Sequence, residues 1–373
     1  MQRISRKKPS RGFTLLEVLV AMGVGLLLLA GAIELYRKGL DATFFASQRS
    51  EMQLDVRAAQ NLLIKDISMA GAGLDPGGVA VATGASESPI YGCDQTQCYL
   101  PVGSAPSGIA FPSNPGPYIY WIMPGHDWGA TVNAASGPTD AITVVYGDTT
   151  FPWDDYSVSF NNTSGTSVKF TQLGSLPSLP LVKISDPANG LQTGDLVLFT
   201  NTAGGNTQST VGEVTATATG TSSPYNVSFS DPDALGLNQG SATSSGLPQI
   251  TAGTGTTAIR IYVITYYIYV RPNPSGSGPG TPVLMRQVNG HSPVPVAENI
   301  VDLHFWYDLY DDNGNLTANQ TDASGSSPNM IRKIRVSITG RSEVKGTTAY
   351  QSINLRSIVS ASNMSFKDRY PQK

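Results

Sequence analysis

A single carboxylate, Glu17, interrupts an apolar run that begins directly after a basic leader, and this pattern restricts the chain more than any other feature. The leader carries Arg3, Arg6, Lys7, Lys8 and Arg11 and no acid, so it is expected to stay cytoplasmic while the following segment enters the membrane. From Phe13 to Ile33 only Thr14 and Glu17 are notably polar, and the stretch has the roughly 20 residues a helix needs to cross a bilayer core of about 30 Å. A carboxylate within it costs about 2.5–3.5 kcal/mol at mid-bilayer and calls for a positive partner. If the chain is cut between Gly12 and Phe13, the new α-amino group supplies one, since it then lies one helical turn before Glu17. The freed amine of a neighbouring subunit serves the same need, and only that pairing also sets the axial stagger between adjacent helices. A secretory signal peptide is the competing reading, with Ala30-Gly31-Ala32 as its small-residue site and Ile33 as the new N-terminus. Against it stand Glu17, the length of the apolar run and a helical pattern that continues past Ala32.

Apolar residues recur at intervals of three and four, first as Ile33, Tyr36, Leu40 and Phe44 and then as Met52, Val56, Ala59, Leu63, Ile67 and Ala70, the spacing of one helix face. No proline occurs between Phe13 and Ala70, and the stop signals gather at Gly71, Gly73 and Asp75-Pro76-Gly77-Gly78. One helix from Phe13 to Ala70 is the economical reading. At 1.5 Å per residue it extends about 85 Å, so its first half is expected to protrude from any globular head. Gly23, Gly25 and Gly31 offer places where that half bends or melts when packed.

The run R-G-F-T-L-L-E-V from Arg11, behind its basic leader, resembles the prepilin signature shared by type IV pilins, minor pilins and type II secretion pseudopilins. The resemblance implies cleavage after Gly12 by a prepilin peptidase, N-methylation of Phe13 and Glu17 as the assembly glutamate. It divides the chain into a leader (1–12), a transmembrane and assembly half-helix (13–35), an amphipathic half-helix (36–70) and a β-rich periplasmic or extracellular head (71–373). Further segments resemble the PilW-like family of minor pilins and, more distantly, the pseudopilin J group. They are K-D-I-S-M-A-G-A-G from Lys65, T-G-D-L-V-L-F-T from Thr193, Y-Y-I-Y-V-R-P from Tyr266, L-M-R from Leu284, E-N-I-V-D-L-H-F-W-Y-D from Glu298, R-K-I-R-V-S-I-T-G-R-S from Arg332 and the closing I-N-L-R-S. Residues 79–135 and 150–190 carry no such likeness. The partners implied are the peptidase, other minor pilins, the major pilin and, before assembly, inner-membrane lipid. The location implied is the inner membrane, single-pass with the head outside, and then the pilus. The head is long for a bulk-forming subunit, which points to a low-copy member of the assembly.

Beyond Ala70 the chain is rich in Gly, Ser, Thr and Pro and poor in charge. Tracts at Ile142 to Tyr146, Asp195 to Thr200, Ile259 to Val270, Val301 to Tyr310 and Ile331 to Thr339 are β-branched and aromatic and bounded by turn residues. In the last, Ile334, Val336 and Ile338 alternate with Arg335, Ser337 and Thr339, as in a sheet with one wet face. The expected fold class is α+β, an antiparallel sheet packed on the second half of the long helix. Stretches near 203–257 and 273–282 read as long loops or insertions, where binding specificity tends to reside.

Cys93 and Cys98 are the two cysteines, and in an exported oxidising setting they are expected to be bonded. Without a nearby His or further Cys they fall short of the four ligands of structural zinc. Asp308, Asp311, Asp312, Asn313 and Asn315 around Gly314 supply oxygen ligands that suggest calcium, but their spacing is not that of an EF-hand. A hairpin turn is the alternative. His126, His291 and His304 are scattered, and no G-x-S-x-G, H-E-x-x-H or phosphate-binding loop is present, so neither an enzyme nor a cofactor is expected. Asp154 and Asp155 beside Trp153 and Tyr156 would suit a sugar patch, yet such residues commonly serve core and turn. The net charge is −3 and becomes more negative once the leader is lost, a poor basis for nonspecific nucleic-acid binding. Arg332, Lys333 and Arg335 form a local basic strip better suited to a solvated strand face. A structural minor pilin is the reading favoured, with a type II secretion pseudopilin and a pilus-tip adhesin as the alternatives.

Overall fold

The computed structural model describes residues 12–85, 87–113, 117–174, 183–219, 222–276, 278–311, 313–323, 325–344 and 350–364. The chain divides into two compact units, Met1–Glu51 and Met52–Lys373. One helix, Leu15–Met69, runs through the boundary. In the first unit its apolar side chains are exposed, Leu15 at 85% and Leu27 at 76% among them. The helix is long and apolar enough to cross a membrane, and none of its most apolar 18-residue window is buried within the chain.

The second unit shows the other use of the same helix. Met52, Val56, Ala59, Leu63, Ile67 and Ala70, the face expected from the spacing, are all buried and join one core with residues of two β-sheets. The helix ends at Gly71, whose φ of +77° no L-residue adopts readily and whose N–H donates to Val145 O at 2.8 Å. A Cβ here would also lie 3.1 Å from Trp121 Cδ1 and Asn363 O.

The central sheet has seven strands, all antiparallel. Its hub is Thr254–Arg271, 18 residues long. Along one edge this strand pairs first with Leu196–Ala203 and then with Thr281–Val288; its other edge pairs with Ala141–Gly147, so that Ile261 and Ile264 each have a partner on both sides. Asn206–Glu213, Val294–Glu298 and Ile122–Gly125 extend the sheet outward. A second antiparallel sheet follows the order Leu316–Gln320, Ile300–Tyr310, Ile331–Arg341, Ser352–Ser360. The architecture is therefore α+β, a long N-terminal apolar helix followed by a β-rich head.

Two expectations need correction. The stretch 203–257 is not a long loop. It contains Asn206–Glu213, Ala216–Thr219, Tyr225–Ser228 and the short helix Leu247–Ile250, and with Tyr156–Phe160 and Ser167–Gln172 it builds a third sheet and a separate core. Sparse apolar residues hidden among Gly, Ser and Thr carry it: Tyr225, Val227 and Phe229 alternate and are all buried, and Leu247 and Ile250 close the same core. Nor is the outer face of Ile331–Arg341 uniformly wet, for Ser337 is buried and accepts a hydrogen bond from Asn354 Nδ2 at 2.9 Å.

Candidate functional site

Gly12 and Phe13 lie just before the helix, and Phe13 is 85% exposed. Thr14 occupies the N-cap position. Its N–H and its hydroxyl each donate to Glu17 Oε2 at 2.9 Å, and its Oγ accepts from the Glu17 N–H at 3.3 Å. This reciprocal arrangement is a capping box, in which a Thr and a Glu three residues later satisfy donors that the helix start leaves free. In the uncleaved chain the partner of Glu17 is thus Thr14; the α-amine expected to pair with it arises only on cleavage. The T-x-x-E spacing was the signal that would have found the Thr14 contact.

Residues of several of the separate motifs lie far apart in sequence and meet in the second unit. Asp66, from the K-D-I-S motif, is 2% exposed. Its carboxylate accepts from Arg286 Nε at 2.8 Å, from the Tyr266 hydroxyl at 2.6 Å and from the Tyr146 hydroxyl at 3.2 Å. Arg286 belongs to L-M-R and Tyr266 to Y-Y-I-Y-V-R-P. Burial, reinforced by the bond to Asp66, pushes the Tyr266 phenol well above its ordinary range, so it stays a donor. Asp195, from T-G-D-L, pairs with Arg260 at 3.3 Å and with His291 at 2.9 Å, and Asp148 holds the other edge of the same guanidinium at 2.6 Å. Asp308 takes Arg335 at 3.0 Å. Asn354 of I-N-L-R-S donates to Ser337 and Thr339, and Ser357 accepts from Gln60 of the helix at 3.0 Å. Buried ions survive only when paired, and these pairs fasten the helix and the two larger sheets at defined registers.

Cys93 and Cys98 are joined by a disulfide, with Cα atoms 3.8 Å apart. Asp94 inside the small loop accepts from Thr96 N, Gln97 N, the Tyr99 hydroxyl and the Ser292 hydroxyl. Burial raises its carboxyl, but the bonds from Ser292, Tyr99 and Thr96 outweigh that and hold it well below the usual carboxylate range. Gln95 of the same loop hydrogen-bonds Glu213, which is fully buried. Desolvation and the adjacent Asp233 raise the Glu213 carboxyl.

The oxygen-rich turn places its groups apart. Asp308 faces Arg335 and accepts from Asn319 N at 3.1 Å. Asp311 accepts from Asn313 N, Asn315 N and Asn315 Nδ2, all within the turn that joins Ile300–Tyr310 to Leu316–Gln320. Asp312 lies outside the described residues. Asn313 and Asn315 are exposed. The arrangement is that of a hairpin turn, with Asp308 and Asp311 turned to different partners. Trp153 packs on Phe151 with ring centroids 4.4 Å apart at the rim of the third-sheet core, and of the basic strip Arg335 is committed to Asp308.

Two of the three histidines, His126 and His304, come together in space, whereas His291 stays apart on Asp195. His126 Nδ1 lies 2.8 Å from Asp140 Oδ1, and His304 Nδ1 lies 3.2 Å from the other oxygen of the same carboxylate. Their separation in sequence concealed this; only the pairing of Ala141–Gly147 into the central sheet, close to Ile300–Tyr310, brings Asp140 between them.

Residues 7–33 match the family described as the prokaryotic N-terminal methylation motif. No curated protein and no solved structure matches the chain. A motif of that family implies processing by prepilin peptidase and assembly with other pilins in general, a structural role and not an enzymatic one. Set on an apolar helix that precedes a β-rich head, the motif supports a pilin-like protein, of pilin or pseudopilin type, engaged in pilus or secretion assembly.

Proposed function

We propose that this chain is a minor pilin of a type IV pilus, similar to the PilW-like group, which enters the inner membrane with its leader inside and its head outside and then joins the filament near the tip. Prepilin peptidase cuts between Gly12 and Phe13, Phe13 is methylated, and Glu17 sets the stagger against neighbouring subunits. The supporting observation is an apolar helix, unburied by its own chain, with one carboxylate in its first turn. Such a surface needs lipid or other helices around it. The convergence of the PilW-like motifs on ion pairs of buried carboxylates supports the narrower assignment, because each pair accounts physically for two distant motifs at once. The size of the head, with three sheets of four or more strands and two large cores among the described residues, suits a low-copy subunit and other minor pilins as its partners.

Mass spectrometry of the membrane-extracted protein is expected to find N-methylated Phe13 at the mature terminus. A terminus at Ile33 would instead make the apolar run a discarded export signal. Glu17→Ala is expected to abolish incorporation into sheared pili while the head stays folded; normal incorporation would overturn the assembly role of Glu17. Co-isolation with a secretion pseudopilus, and absence from sheared pili, would move the chain to the pseudopilins.

A further inference from the structure

His126, Asp127 and Asp140 bring one ligand atom each to within 4.8 Å of the others. Asp140 is 2% exposed, and its carboxylate is fully engaged. Oδ1 receives His126 Nδ1 at 2.8 Å and Asp127 N at 3.0 Å; Oδ2 receives Phe305 N at 3.0 Å and His304 Nδ1 at 3.2 Å. His304 is held on its other side by Asp302 at 3.0 Å. With so many donors directed at it, Asp140 acts toward His126 as an acceptor, which places the imidazole proton on Nδ1 and leaves the Nε2 lone pair facing away. Nε2 lies 3.6 Å from Asp127 Oδ2, and both side chains are accessible, at 39% and 50% exposure.

These features have a common chemical meaning. Metal-bound histidines almost always give their second ring nitrogen to a carboxylate or carbonyl, which orients the ring and raises its basicity. Ligands about 2.0–2.1 Å from a tetrahedral ion stand roughly 3.4 Å from each other, close to the separation of Nε2 and Oδ2. One imidazole and one carboxylate suit zinc and its first-row neighbours, whereas calcium demands six to eight oxygens. We propose that His126 Nε2 and Asp127 Oδ2 bind a divalent first-row transition metal, with Asp140 as the buried carboxylate that orients the imidazole. The remaining coordination positions are open to water. His126 also lines a pocket of about 390 Å³ shared with Tyr91, Trp128 and Asp322. Asp140 is a positioning residue here.

The test is zinc titration by calorimetry of the full chain in detergent micelles, purified without a polyhistidine tag. One equivalent is expected to bind. His126→Ala should abolish that binding, and Asp140→Asn should weaken it by about 10- to 100-fold, the usual effect of losing an orienting carboxylate. X-ray absorption of the zinc-loaded chain should show a single imidazole in the coordination shell. No uptake by the unaltered chain, or equal uptake by His126→Ala, would overturn the site and leave His126 and Asp127 as an ordinary ion pair. Unchanged affinity in Asp140→Asn would overturn the orienting role. Should that variant fail to fold, the exposed Asp127→Asn substitution decides: loss of at least about tenfold supports the site, and no loss overturns it.

Discussion

Glu17 and Asp66 are carboxylates on one helix, and their surroundings are opposite. Glu17 stands in an exposed apolar stretch and, among the described residues, is served by Thr14, a local contact three residues away. Asp66 is buried and is served by Arg286, Tyr266 and Tyr146, which come from three different strands. The first carboxylate is satisfied cheaply and can change partners. The second cannot leave without depriving a largely buried guanidinium and two phenols of their shared acceptor. A helix can therefore carry one acid that is free to be shared with another molecule and one that is spent on its own fold.

The largest effect expected from this contrast is on Asp66. Asp66→Ala should lower the stability of the head by about 3 kcal/mol, the low end for breaking a buried pair, because Arg286 retains some access to water. Urea unfolding of the chain in micelles measures it, and a loss as small as that of an exposed pair would erase the distinction between the two acids. Replacing both partners by apolar residues, Asp66→Leu with Arg286→Met, should recover much of the loss. Next in size is the disulfide. Cys93→Ser with Cys98→Ser should cost about 2 kcal/mol, since so short a loop restricts the unfolded chain only modestly; a reducing-agent titration of the unaltered chain provides the independent check.

Glu213 sharpens the comparison from the side of pH. Its carboxyl is raised by burial and by Asp233, up to about 8 in the folded chain. In the range from the ordinary carboxyl value to that one, the folded state holds a proton that the unfolded state has released. Its contribution to stability is thus complete below the unfolded value and is lost as pH rises toward 8. Thermal melts across pH 5–9 should show this decline, and Glu213→Gln should flatten it. The smallest effect belongs to Thr14. Thr14→Val removes the cap and should cost about 1 kcal/mol of local helix stability, visible as faster amide exchange in the first turn, with the unfolding of the head unchanged.

Much of this was legible in the residues. The helix face from Met52 to Ala70 follows from spacing alone, because a 3.6-residue period is a local property that packing only completes. The strands at Ile142, Ile259, Val301 and Ile331 announced themselves by β-branched and aromatic runs. The stretch 203–257 did not, because its buried positions are few and its Gly, Ser and Thr content is that of a loop. The site residues divide in the same way. Thr14 and Glu17 lie three residues apart across one helix turn. Asp140 with His126 and His304, or Asp66 with Arg286, become neighbours only once strands pair.

The sequence by itself determined the membrane-length helix, its basic leader, its single early carboxylate and the α+β character of the chain, since these rest on hydropathy, charge and period along a contiguous segment. The tertiary structure alone decided which charges are paired, that the disulfide loop meets Glu213, and that two distant histidines share one aspartate. Those outcomes depend on strand register and crossover, and a contact between residues 200 positions apart leaves no trace in the local pattern of either.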